Sequence, residues 1–142
     1  MKHQNDYIPG LFPYDKITDK SEILFANQFG DLTAIIVKRI THPCCYIIFP
    51  SRRYAIYSSV VNNNTLNVHG GITYRSDILN IGDGINIQGR IIGWDYAHAG
   101  DYTAYNTSGK KYSFYEIISD LVNAVEQIQK MEEYYDNVWR YL

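Results

Sequence analysis

Two short motifs carry most of the residues in this chain that could do chemistry. The first is Leu66-Asn67-Val68-His69-Gly70-Gly71-Ile72-Thr73-Tyr74, and the second is Gly93-Trp94-Asp95-Tyr96-Ala97-His98-Ala99-Gly100-Asp101-Tyr102. Imidazole is the side chain that exchanges protons near neutral pH, and a neighbouring carboxylate fixes its tautomer and raises its basicity. Asp95, His98 and Asp101 stand three apart in a glycine-rich stretch, with Asp95 at the end of an apolar run. Gly70 and Gly71 can take positive φ, let a ligand approach the backbone, and turn consecutive amides into an anion-binding nest. Thr73, Tyr74 and Arg75 follow with polar tips.

Four constructions are open to these residues. Two histidines and two aspartates can bind a metal, but the spacing lacks a His-x-x-x-His or cysteine-rich pattern, so no metal is expected. His69 and His98 can act as acid and base on a phosphate or glycosidic bond, with Asp95 or Asp101 as orienter. The same groups can hold a phosphate and a base without chemistry. Alternatively, Asp95 and His98 only cap a turn. No serine or cysteine nucleophile motif accompanies them.

The elements that must position these motifs read as an α+β fold, an antiparallel or mixed sheet packed on a long C-terminal amphipathic helix. Residues 1–20, with Pro9-Gly10 and Pro13, read as an irregular N-terminal arm. Ser21 to Phe29 suggests a short helix closed by Gly30. Leu32 to Ile40 and Cys44 to Phe49 read as strands, separated by a break at His42-Pro43 and ended by Pro50. Tyr54 to Val61 suggests a further strand, or a loop leading into one, and Leu66 to Tyr74 a strand bent at Gly70-Gly71. Ile78 to Ile81 and Ile85 to Ile87 flank Gly82-Asp83-Gly84, a tight-hairpin signal. Gly89-Arg90 then suggests another turn before the strand Ile91 to Trp94.

Ser113-Phe114-Tyr115-Glu116 is a capping box. Apolar residues then recur mostly three or four apart from Phe114 through Leu121, Val125 and Ile128 to Val138, placing a helix over 113–140. Such a helix would reach ~40 Å at 1.5 Å per residue, long enough to overhang the domain and meet a second copy, or to fold back over the core.

At 142 residues the chain fits one domain, 1–142, with a real core. Its net charge of −2 argues against coating a long nucleic acid by charge alone. Arg52, Arg53, Arg75 and Arg90 could still build a local basic pocket. Fourteen tyrosines supply flat faces with hydroxyl tips. Cys44 and Cys45 are the only cysteines, and neighbours in sequence cannot staple distant segments, which suits a reducing cytoplasm. No stretch approaches the ~18 apolar residues of a membrane span, and the first residues lack a signal peptide's apolar run.

Four segments also occur in a recognisable order: Cys45 to Pro50, Asn67 to Tyr74, Gly93 to Asp101, and the helix opening at Tyr115-Glu116. Together they resemble a widespread, largely uncharacterised family of small phage and prophage proteins carrying Val-His-Gly-Gly-Leu-Thr-Tyr and Gly-Phe-Asp-x-Ala-His-Ala-Gly-Asp motifs. The likeness runs from about residue 44 to residue 130. Three departures stand out. The family's histidine shortly after the proline is replaced, with Arg52-Arg53 nearby; the segment between the motifs carries an added hairpin; and the C-terminal helix runs on.

The resemblance implies a phage accessory protein that counters host defence. On that reading the protein sequesters a nucleotide-derived signal, such as a cyclic nucleotide or cyclic ADP-ribose, without a cofactor. Aromatic faces stack bases at ~1–3 kcal/mol each, and arginine pairs bidentately with phosphate. Arg52, Arg53 and Arg75 are then the expected phosphate partners, and Tyr74, Trp94 and Tyr96 the stacking faces. The alternative is an enzyme that cleaves such a molecule with His69 and His98.

Overall fold

A computed structural model of the protein describes residues 12–14, 20–82 and 84–140. Five strands form one antiparallel sheet: β1 (Glu22–Phe29), β2 (Leu32–Arg39), β3 (His42–Phe49), β4 (Tyr74–Gly82) and β5 (Ile85–Asp95). Their spatial order is β1-β2-β3-β5-β4. Two helices accompany them, α1 (Tyr54–Asn63), entered through a 3₁₀ turn at Ser51–Arg53, and α2 (Phe114–Arg140). The expected α+β fold with a long C-terminal helix is therefore present, with a purely antiparallel sheet.

Alternation along the strands divides the core in two. Ala34, Ile36, Cys45, Ile47, Ile92 and Trp94 face the helices. They meet Ile56 and Val60 of α1 and Ile117, Leu121, Val125 and Ile128 of α2. On the other face Ile35, Val37, Cys44 and Tyr46 cluster with Leu79, Ile81 and partly buried Ile87. The distal half of the β4–β5 hairpin thus seals the face that has no helix. The hairpin between the two motifs completes a second core. Asp83 at its tip lies outside the described residues.

Five local expectations are corrected. Residues 22–29 form β1 rather than a helix. Phe29 pairs with Leu32, so Gly30 (φ +63°) turns a hairpin instead of capping a helix. An irregular register between Ile23 and Phe25 lets the consecutive Leu24 and Phe25 both be buried.

Residues 54–63 form α1 rather than a strand. Its buried Ile56 and Val60 are four apart, a helical interval that outweighs the β-branched composition. Asn64 ends it in the left-handed conformation, φ +49°. Leu66 to Thr73 is not a bent strand but a loop.

Gly89-Arg90 makes no turn, since β5 runs unbroken to Asp95. His42-Pro43 makes no break either, because β3 begins at His42 and Pro43 pairs with Lys38. Most of the expected N-terminal arm lies outside the described residues, but Phe12 and Tyr14 are buried in the core.

The capping box at the start of α2 is formed in both directions. Glu116 N–H donates to Ser113 Oγ at 3.0 Å, and Ser113 N–H donates to Glu116 Oε1 at 2.9 Å. The helix spans 27 residues. Tyr135 packs on the core, while Tyr134 and Val138 are exposed. No helix among the described residues is long and apolar enough to cross a membrane.

Candidate functional site

Extended backbone in a loop must find partners for its amides somewhere, and here α2 supplies them. Asn67 is held from both sides by Gln127: its N–H donates to Oε1 and its carbonyl accepts from Nε2, both at 2.9 Å. His69 N–H donates to Asp120 Oδ2 at 3.1 Å. Asp120 and Gln127 stand seven residues apart, two helical turns, so one polar stripe of α2 grips the first motif.

The same Asp120 oxygen accepts the Tyr96 hydroxyl at 2.8 Å. That bond ties the second motif to the same helix. Burial is the largest cause raising the Tyr96 hydroxyl well above its usual pKa, so it stays protonated and donates.

The two motifs then meet ring to ring. The His69 imidazole stacks on Tyr96 with centroids 4.4 Å apart and planes 5° from parallel, and Tyr112 abuts both rings. His69 Nε2 lies 2.8 Å from Asp101 Oδ2. Asp101 is 3% exposed and also accepts the His98 N–H at 2.9 Å. A buried carboxylate offers only acceptors, so Nε2 carries the proton and donates. Nδ1 makes no hydrogen bond among the described residues and is not buried.

Gly70 explains why the first motif needs glycine. It sits at φ +70°, and a Cβ there would come within 2.3 Å of His98 Nε2. The His98 ring is therefore packed on bare backbone. Its Nε2 is buried, 3.4 Å from Asp95 Oδ1 but without the direction of a hydrogen bond. Asp95 accepts the Ala97 N–H at 3.0 Å and faces the Thr73 hydroxyl at 3.4 Å. Asp95 and His98 thus brace the turn behind His69. The Gly71 amide is spent on the Val68 carbonyl at 3.0 Å, so it does not point to a ligand.

In front of His69 lies a cleft of about 550 Å³, within the range of small-molecule sites. Its walls are the Asn67–His69 loop, Tyr96, Tyr112, and the first turns of α2 from Tyr115 to Asn123. Of the expected ligand-binding residues, the cleft takes His69 and Tyr96. Gly70, Thr73, Asp95, His98 and Asp101 stand behind it.

The others are elsewhere. Trp94 is a core residue, 1% exposed, with no face to offer a base. Tyr74 packs edge-on against Tyr46 on the opposite side of the sheet, and its hydroxyl donates to the Ile78 carbonyl. Arg75 is exposed on β4. Arg52 and Arg53 both bind Asp31, each at 2.9 Å. Arg53 also reaches towards Glu132 at 3.8 Å. They follow the end of β3 opposite the one where Cys44 pairs with Asp95, so a basic pocket is not assembled at the cleft.

Sequence reasoning missed Asp120, Tyr112, Tyr115, Ser119 and Asn123. A signal existed in the polar residues Glu116, Ser119, Asp120, Asn123 and Gln127 at intervals of three and four. Attention to the apolar stripe hid the polar one beside it. His42 was also passed over. Burial lowers its pKa, and Asp95, acting the other way, opposes this.

The cysteines are inert, since burial pushes Cys44 up to about 12 and raises Cys45 well above the ordinary thiol range. No group of three or more His, Cys, Asp or Glu among the described residues is arranged to hold a metal ion. No protein-family model matches the chain, and no curated protein or solved structure matches it significantly.

Proposed function

We propose that the protein binds and sequesters a nucleotide-derived small molecule in the cleft before His69, as a counter-defence protein of phage or prophage type acting in the host cytoplasm. The observation that carries binding over cleavage concerns His98. An acid–base mechanism with two histidines needs both on the reacting bond. Here His98 stands outside the cleft lining, with Nε2 buried against Gly70. What lines the cleft is suited to holding: Tyr112 and Tyr115, His69 backed by buried Tyr96, and the hydrogen-bonding side chains of Ser119, Asp120 and Asn123.

A second reading has one specific observation in its favour. His69 has an unclaimed Nδ1 and a buried carboxylate behind Nε2, as a general base would. In a hydrolase built on it, His69 would work without a histidine partner, and water would take the other proton-transfer role.

The test is to incubate the protein with a panel of cyclic nucleotides and nicotinamide nucleotides, denature it by heat, and analyse what is released. Intact ligand in stoichiometric amount supports sequestration. Fragments exceeding the protein would overturn it in favour of hydrolysis, and the absence of any retained ligand would overturn both.

A further inference from the structure

The charges around the cleft say which end of a nucleotide-derived molecule it takes. Glu116 and Asp120 line it, one helical turn apart on α2. The Ser113 amide, followed by Lys110, holds the Glu116 carboxyl below the usual carboxylate range. The arginines whose side chains are described are engaged or placed elsewhere: Arg39 with Ser21 and Tyr46, Arg52 and Arg53 with Asp31, Arg75 on β4, and Arg90 with Asp77. Among the described residues, the cation at the rim is Lys110, and it is committed to Glu116 at 3.0 Å.

Set against the buried carboxylate of Asp101, His69 adds no net positive charge, so the remaining balance of the described cleft residues is negative. A phosphate placed there would meet carboxylates and, among the described lining residues, no uncommitted cation. Tyrosine faces beside carboxylates instead attract positive charge, because the ring quadrupole is negative above its face. The rim already shows this preference: Lys110 Nζ sits 4.2 Å over the centroid of Tyr112.

We infer that the cleft selects a positively charged heterocycle, the ribosylated ring nitrogen of a pyridinium-type or N-alkylated base, and leaves the ligand's phosphates outside in solvent. This deepens the nucleotide-binding reading and rests on it. Tyr115, 66% exposed at the cleft wall, and Tyr112 supply the faces. Asp120 supplies the charge.

The experiment compares nicotinamide mononucleotide with its reduced, dihydropyridine form by titration calorimetry on the full chain. The two share phosphate and ribose, and only the first has a charged ring. The oxidised form should bind at least tenfold more tightly, and Tyr115→Leu and Asp120→Asn should each shrink that ratio. Tyr115→Leu keeps the test sound if Asp120→Asn loosens the fold, because Tyr115 is exposed and outside the core.

Equal binding of the two forms, or a preference for the reduced one, would overturn the inference. If a cyclic dinucleotide bound in a Tyr112-dependent manner while neither pyridinium form bound, charge selection would fall and nucleotide binding would stand. If nothing in the cleft responded to any nucleotide, both would fall.

Discussion

The two ends of α2 handle charge in opposite ways. Towards its C-terminal half, Glu132 and Asp136 approach Arg53, which with Arg52 grips Asp31 in the β1–β2 turn. Both arginines there face carboxylates, and the result is a clasp joining the β1–β2 turn, the 3₁₀ turn before α1, and α2. At the N-terminal end, Asp120 spends one oxygen on two protein donors, and His69 spends one ring nitrogen on Asp101. The other oxygen and the other nitrogen have no hydrogen-bond partner among the described residues and lie beside an open cleft. From sequence the arginine pair looked like a phosphate site and Asp120 like an ordinary helix residue. A charged cluster is therefore a candidate for binding in proportion to what it leaves unpaired beside a cleft.

The sharpest way to break this contrast is at Gly70. Alanine there must hold a left-handed φ and push its methyl into the His98 ring. A loss of about 2 kcal/mol is expected from backbone strain and overpacking together. Denaturant unfolding should show it, along with loss of ligand binding. A variant as stable as the parent would mean that the ring packing against Gly70 has been misread.

Asp101→Asn comes next. The buried carboxylate serves both His69 Nε2 and the His98 amide, and an amide side chain cannot accept from both with the same oxygen strength. A cost of ~1–3 kcal/mol is expected, and the His69 ring should lose its fixed tautomer. Nitrogen chemical shifts of the imidazole report this directly: the Nε2–H form should dominate in the parent and mix in the variant.

At the other end of α2 the effects should be smaller. Arg53→Ala removes partly exposed ion pairs that solvent screens, so it should cost at most ~1 kcal/mol and leave ligand affinity unchanged. A larger affinity loss than for Asp101→Asn would reverse the assignment of the two ends.

The smallest effect concerns pH. Burial raises the Glu132 carboxyl above its ordinary range. Its contribution is therefore full below the unfolded value and is lost as pH rises through the folded one. Relative to Glu132→Gln, the parent should lose a little stability between the ordinary carboxylate range and neutrality. A parent that gained stability over that window would contradict the sign.

What was legible in the sequence followed from local rules. The capping box at Ser113–Glu116, the Gly82–Gly84 hairpin, and the β-branched runs of β2 and β3 all declared themselves through their own residues. The pairing of His69 with Asp101, 32 positions away, could only be suspected, because motif density does not give geometry. Asp120 was hidden for a related reason: its role depends on a loop whose amides have no strand to bond to. Residues 22–29 and 54–61 misled because composition is weak in short segments, where pairing with β2 and burial of Ile56 and Val60 decide.

On the proposed function, the histidine end of α2, and not the arginine end, holds the ligand. The direct measurement is the affinity of one retained nucleotide for three chains: the parent, Tyr112→Ala, and Arg52→Ala with Arg53→Ala combined. Tyr112→Ala should weaken binding tenfold or more, by removing a stacking face at ~1–3 kcal/mol, while the double arginine variant should match the parent. Binding lost in the arginine variant and retained in Tyr112→Ala would contradict the account.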